Sequence, residues 1–282
     1  MSMGATTARG GKGQNQAVAA ARAGASTTFI CAVGDDQFGR LTREGLSGDG
    51  VDIALVRTVN ALTGAALIAV DDSGENTIIV DAGANADLIG LTEADAEILR
   101  VSDVLVIQLE IPLETVSGAA RIAQAGNTIV ILNAAPVQGL PVGLLANVDI
   151  LVVNEHEAAF LAGGSGRGAG NVDGSAAHVS GLAPVVIVTL GARGAMLHER
   201  GANEIHVPAP RVKSIDATGA GDTFCGALAA SLAEGMTVET AVRFAVVAAS
   251  LSVQRAGAVP SIPQRATIDE ALSTGNHRPD SA

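Results

Sequence analysis

From about Ala96 onward, short β-branched runs alternate with Ala-rich stretches of helical period. Val104 to Gln108, Thr128 to Asn133, Ile150 to Asn154 and Val185 to Leu190 read as strands. Leu113 to Ala125, a short Pro141 to Ala146 and Glu155 to Ala162 read as helices. The strands are apolar throughout rather than alternating, which is the pattern of a parallel sheet covered on both faces. The spacing therefore predicts an α/β fold with a mostly parallel central sheet and helices on either side. Such sheets bind ligands beyond the carboxyl ends of their strands. Glu110, Asn133, Asn154 and the turn at Gly191 all fall there.

The stretch from about Val51 to Val80 has a different character. Gly64 to Val70 and Thr77 to Val80 flank D-D-S-G-E-N, which predicts a hairpin turning over Asp71 to Asn76. A hairpin inserted in a parallel fold projects from it as a lid, and residues 51–80 would contribute the lid strands of a single domain over 1–282. Gly163 to Gly174 reads as a loop. Its G-S-G-R-G-A formally fits a dinucleotide fingerprint, but a helix precedes it where a strand is required.

Composition narrows the partners. Apolar residues make up 48% of the 282 and charged residues 16%, so a sizeable core can form. Trp and Tyr are absent and Phe numbers 5, which leaves little aromatic surface for stacking on bases. A net charge of −12 argues against nucleic acid or an anionic membrane as partner. Cys31 and Cys225 stand far apart with no metal-ligand spacing and read as buried, reduced thiols. The N-terminus has no apolar signal core, and no run of about 18 apolar residues escapes interruption. The expected location is the cytoplasm.

Candidate chemistry concentrates in four motifs. In D-A-T-G-A-G-D-T-F-C-G, Asp216 to Gly226, Asp222 follows Gly219, Ala220 and Gly221 and opens an apolar helical pattern. Small residues let the backbone approach a ligand, and a helix N-terminus attracts anions. A carboxylate beside an anion site makes sense where one group takes a proton while another cradles a phosphoryl group. G-G-K-G-Q-N-Q, Gly10 to Gln16, opens a helix over Ala17 to Ala23. It fails as a P-loop because Thr6 and Gly13 occupy positions that need Gly and Ser or Thr. Two readings stand: a Gly-rich helix cap with an incidental Lys, or a platform on which Lys12 and Asn15 hydrogen-bond a polyol.

N-E-H-E, Asn154 to Glu157, reads either as an N-capped helix start or as a water-mediated Mg²⁺ site. T-L-G-A-R-G, Thr189 to Gly194, is a tight turn or a backbone bed for a nucleotide. The histidines show no zinc spacing, and no G-x-S-x-G nucleophile elbow occurs.

Together these motifs resemble the ribokinase-like carbohydrate kinases. G-G-K-G-Q-N-Q-A-V-A-A-A-R-A-G-A is similar to their first signature and D-A-T-G-A-G-D-T-F-C-G-A-L to their second. V-G-D-D-Q-F-G (Val33 to Gly39), Q-L-E-I-P-L-E (Gln108 to Glu114), N-E-H-E, T-L-G-A-R-G and Q-R-A-G-A-V-P-S-I-P (Gln254 to Pro263) follow in the family's order. The resemblance spans nearly the whole chain, and the G-G-K-G-x-N-Q and Q-L-E forms are closer to the ribokinase branch than to fructokinases or nucleoside kinases.

The resemblance implies a ribokinase-like fold and an ATP-dependent kinase acting on the primary hydroxyl of a pentose, D-ribose foremost. It implies Asp222 as general base and Gly219, Ala220 and Gly221 as anion hole. Gly11, Lys12, Gly13, Asn15 and Glu110 match sugar contacts. Asn154 and Glu157 match a Mg²⁺–phosphate water network, and Thr189, Leu190, Gly191, Ala192, Arg193 and Gly194 a nucleotide bed, with Val246 at the adenine pocket. Asp216, Thr218, Ser252, Arg255, Gly257 and Ser261 match a K⁺ site built mostly from backbone carbonyls. A homodimer joined through lid strands is implied as well.

The pattern also breaks. Family members carry a strand, a polar N-x-D element and a lid hairpin ahead of G-G-K-G, whereas Met1 stands almost on top of it here. The expectation is a sheet without its middle strand, with two exposed edges, an incomplete lid and no aspartate to clamp the sugar hydroxyls. Either the natural start lies upstream, or this is a shortened kinase that binds nucleotide or sugar without turnover. Gln14 where Ala is usual and Ala217 where Thr is usual look tolerable.

Overall fold

The apolar runs form four adjacent strands of a six-stranded sheet. The structure, a computed structural model, describes residues 7–70, 76–163 and 179–274. In that sheet β5 (Val104–Ile107), β6 (Ile129–Asn133), β7 (Ile150–Asn154) and β8 (Val185–Thr189) run parallel. Next come β9 (Ala195–Glu199), antiparallel to β8, and β10 (Ile205–Val207), antiparallel to β9, giving the order β10-β9-β8-β7-β6-β5. β1 (Cys31–Gly34) and β2 (Val56–Val59) form a separate parallel pair. Among the described residues, β5 and β10 are the edges of the six-stranded sheet, and β1 and β2 pair with each other alone.

The strands' side chains divide by parity between two cores. Ile131, Ile150, Val152 and Ile187 face a cluster built with α6 (Ala220–Ala233), α7 (Val238–Ser252) and Ile268 of α9 (Arg265–Thr274). Val130, Leu132, Leu151, Val153, Val186 and Val188 face the opposite cluster, with Leu99 of α3 (Glu93–Val101), Val116 and Ala120 of α4 (Leu113–Ala125) and Ala158 of α5 (Glu155–Leu161). Side chains alternate across a strand, so burying both faces needs apolar residues at every position. That is why these strands show no alternation in sequence.

α1 (Lys12–Arg22) packs along α6, and the contact is close because of glycine. A Cβ on Gly226 would lie 2.4 Å from the Gln16 carbonyl oxygen and 2.5 Å from the Ala19 Cβ. α2 (Gln37–Gly48) follows β1, capped by the Asp36 carboxylate, which accepts from the Gly39 N–H at 2.7 Å. The expected hairpin is present as β3 (Ala65–Val70) and β4 (Asn76–Asp81), antiparallel and unattached to the other sheets. Its turn, residues 71–75, and residues 164–174 of the glycine-rich segment lie outside the described residues.

The short helix expected over Pro141 to Ala146 does not form. A single 3-10 turn spans Leu145–Asn147 instead, and Gly143 upstream adopts φ 83°, a left-handed conformation that ends helical continuation. A four-residue helix, α8 (Ala258–Ser261), precedes α9 and supports the turn beneath the N-terminus of α6. Gly219, at φ 75°, is that N-terminus; a Cβ there would sit 3.1 Å from the Ala258 Cβ.

Candidate active site

The carboxyl ends of β6, β7 and β8 converge on an open cleft of about 490 Å³. Asn133, Asn154 and Thr189, the last residues of those strands, line it. The opposite wall is the start of α6, Gly219, Ala220, Gly221 and Asp222, together with Ala217. Lys12, at the start of α1, is the one Lys or Arg among the described residues lining the cleft.

Asp222 is buried in the first turn of α6, and both carboxylate oxygens accept amide protons. Asn15 Nδ2 donates to Oδ2 at 2.9 Å and Gln16 Nε2 donates to Oδ1 at 3.1 Å. Burial pushes the carboxyl above its ordinary range; the Lys12 charge, then the Asn15 and Gln16 amides, pull it back. The first N–H groups of a helix have no intrahelical acceptor. Of the expected anion-hole donors, the Ala220 N–H already turns back to the Ala217 carbonyl at 3.2 Å. The Gly219 and Gly221 N–H groups are therefore the better donors.

The sugar-contact residues expected from the sequence cluster at the α1 end. Gly11, at φ 98°, is the N-cap, and the Lys12 N–H donates to Glu110 Oε2 at 2.9 Å. Burial raises the Glu110 carboxyl, against the Lys12 N–H and charge that lower it. Asn15 Oδ1 is buried and accepts no hydrogen bond. Gly13 packs where a Cβ would press on the Gln108 amide and the Phe29 ring, 3.1 Å from each.

Both readings of N-E-H-E survive. Asn154 and Glu157 form a reciprocal capping box, Asn154 Oδ1 accepting from the Glu157 N–H and Glu157 Oε2 from the Asn154 N–H, each at 2.8 Å. Glu157 nevertheless lines the cleft, and desolvation lifts its carboxyl above the usual range. Of the Thr189 to Gly194 turn, Thr189 and Gly191 reach the cleft. Arg193 is ion-paired with Glu155, and Gly194 (φ 93°) closes the turn with its carbonyl accepting from Leu190 N–H at 2.8 Å. Leu190 and Ala192 complete the turn away from the cleft lining. Val246 lies in the core cluster with α7, 4% exposed, outside the cleft lining.

Behind the α6 N-terminus, Asp216 clamps two loops. Its Oδ1 accepts from the Thr218 N–H at 2.9 Å and its Oδ2 from the Gly257 N–H at 2.7 Å. The Thr218 hydroxyl, then the Gly257 and Thr218 N–H groups, hold the Asp216 carboxyl below its usual range. Ser252 and Ser261 hydroxyls donate to Ala249 and Ala258 carbonyls, leaving their oxygen lone pairs open; Arg255 is exposed on the joining turn. Among the described residues no three His, Cys, Asp or Glu side chains gather as a metal cluster.

A family model for pfkB family carbohydrate kinases matches residues 4–265. The chain belongs to the pfkB family of carbohydrate kinases. This pfkB-family kinase is 38% identical over 280 residues to ribokinase of Schizosaccharomyces pombe, covering 96% of the chain and 88% of the relative. It is 40% identical over 270 residues to ribokinase of Haemophilus influenzae, with 94% and 87% covered. The structure of Arabidopsis thaliana ribokinase complexed with ribose and ATP superposes with a TM-score of 0.87 at 35% identity, covering 93% of this chain and 87% of that one. The kinase is accordingly an ATP-dependent carbohydrate kinase of ribokinase-like α/β fold.

Gln16 and Asn133 are the site residues that sequence reasoning left without a role. Three consecutive amides, Gln14, Asn15 and Gln16, open an otherwise Ala-rich helix and are all buried. That run was the available signal, since buried amides need partners.

Proposed function

We propose that this kinase transfers the γ-phosphoryl group of ATP to the primary hydroxyl of D-ribose, giving D-ribose 5-phosphate and ADP. The observation that carries the reading is Asp222, a buried carboxylate held by two amides beside the open N–H groups of α6. Asp222 takes the hydroxyl proton as the sugar oxygen attacks the γ-phosphorus and the bond to the β-phosphate oxygen breaks. The Gly219 and Gly221 N–H groups face the charge that develops on the phosphoryl oxygens. Glu110, Lys12 and the unpartnered Asn15 Oδ1 hold the sugar, and the Thr189 to Gly194 turn supports the nucleotide.

Glu157 suits Mg²⁺, a single carboxylate in a cleft that phosphates and water would complete; the ion would neutralise phosphate charge there. The 216–218 and 252–261 loops suit K⁺, because the Asp216 carboxylate is already engaged and carbonyl and hydroxyl oxygens remain. Such an ion would fix the loop behind the anion hole. Asp216→Ala is therefore expected to lower kcat and raise the K⁺ concentration for half-maximal activity, read from a K⁺ titration in tetramethylammonium buffer. An unchanged titration would remove Asp216 from any cation role.

Exposed Leu67, Ile79 and Val80 on the hairpin support a homodimer through the lid. Among the described residues no helix is long and apolar enough to cross a membrane, which fits a cytoplasmic enzyme. A coupled ADP-release assay with D-ribose, 2-deoxy-D-ribose, other pentoses, fructose and nucleosides tests the assignment. D-ribose is expected to give the highest kcat/KM. A higher kcat/KM for another acceptor would replace ribose, and calorimetric ATP binding with no acceptor turned over would make the chain a binding protein.

A further inference from the structure

Asp222 is held by a chain of amides whose orientation is dictated from the central sheet. The Val152 carbonyl of β7 can only accept, and Asn133 Nδ2 donates to it at 3.4 Å. Asn133 must therefore turn Oδ1 the other way, where it accepts from Gln16 Nε2 at 3.2 Å. Gln16 in turn must present its nitrogen, whose second proton goes to Asp222 Oδ1 at 3.1 Å. Gln16 is buried and lies outside the cleft lining, so water does not offer its amide alternative partners. Gln16 is 117 residues from Asn133 and 206 from Asp222 in sequence, and α1 is what brings them together.

We infer that Gln16, oriented by Asn133, is a positioning residue that fixes the Asp222 carboxylate in one rotamer with its acceptor lone pair toward the cleft. This rests on Asp222 being the base. Asn15 fixes the other oxygen but is also among the residues proposed to hold the sugar, so its removal would mix two effects. Gln16 does not itself line the cleft and touches its wall through Asn133 and Asp222 alone among side-chain hydrogen bonds, so it separates base positioning from substrate binding. A donor on the carboxylate also favours its ionised form. The charged groups facing Asp222 are Lys12 from α1, Glu110 after β5 and Glu157 from α5, and none of them is altered by a change at Gln16.

The test compares Gln16→Met, which keeps the length of the side chain and removes the donor, with Asn133→Leu and the double variant. Each is assayed with ATP and the sugar that the unaltered chain turns over fastest. Gln16→Met should lower kcat at least tenfold while KM for sugar and ATP stays within about threefold, and should move the acidic limb of the kcat/KM profile to higher pH. The double variant should be no worse than the more impaired single variant, because both act on one chain of bonds. Gln16→Glu is the second variant should Met not fold: it keeps the shape and sets a carboxylate against Asp222, with the same limb shift expected. Unchanged kcat and pH profile, with Asp222→Asn inert, would overturn the role of Gln16 alone. Turnover retained by Asp222→Asn, or absent from the unaltered chain, would overturn the base and this inference with it.

Discussion

Asp222→Asn gives a chain that folds, melts higher than the unaltered one at pH 8, and turns over about 10²–10⁴ times more slowly, the usual contribution of a general base. The fold tolerates the change because Asn15 can adapt. The new amide keeps its oxygen toward Gln16 Nε2 and would set its nitrogen against Asn15, whose Oδ1 now has no partner and can flip to accept. Burial holds the Asp222 carboxyl above its ordinary range, against Lys12, Asn15 and Gln16.

A carboxyl raised in the folded state contributes stability that is fully present below its unfolded pKa and is lost as pH rises through the folded value. At pH 8 the unaltered chain thus carries the penalty of an ionised buried carboxylate that Asn does not. The gain in Tm, about 2–4 °C for each kcal/mol in a chain of this size, should shrink as pH falls toward the unfolded carboxylate value near 4. Burial pushes Glu110 and Glu157 in the same direction, so they leave a background that the comparison at matched pH subtracts. Calorimetric melting at several pH values and a steady-state assay decide it. A variant that keeps more than a tenth of kcat, or melts lower at pH 8, would contradict the assignment.

Gly226→Ala is expected to damage the site from the far side of a helix. Alanine in a helix interior gains about 1 kcal/mol over glycine in propensity. Here its Cβ would meet the Gln16 carbonyl oxygen at 2.4 Å, the Ala19 Cβ at 2.5 Å and the Ala20 nitrogen at 2.7 Å. The contacts include helix backbone, which cannot swing aside as a long side chain would, so α1 must move away from α6. Overpacking of this kind costs about 1–3 kcal/mol, which exceeds the propensity gain and should lower Tm by several degrees. The displacement carries Asn15 and Gln16 away from Asp222, and misplacement of about 1 Å near the reacting groups can cost 10²-fold in rate. Circular dichroism melts and kcat together check this. Unchanged melting with full activity would mean that the helices are not held at this distance.

The four parallel strands were legible because burial on both faces forces an apolar residue at every position, as in Val185 to Thr189. The residues ending them were legible as site candidates for a topological reason: in a parallel sheet, every strand delivers its last residue to one edge. Pro141 to Ala146 was misread since Pro and small residues fit a helix start, while Gly143 at φ 83° turns the chain out of it. Gln16 stayed silent, and Asn133 was legible as a strand end but not as a partner of Gln16, because these contacts join residues far apart in sequence.

The partners of Asp222 also constrain where its proton goes afterwards. Asn15 and Gln16 are amides, which donate hydrogen bonds but do not pass protons on at neutral pH. Among the described residues no titratable side chain is hydrogen-bonded to the carboxylate, so the protein offers no relay into its interior. On the proposed mechanism, a proton captured from the sugar would stay at the mouth of the cleft until the phosphorylated product or water carried it out. Reset of the base would then depend on the opening of the cleft at product release, and solvent isotope effects would report departure as well as transfer.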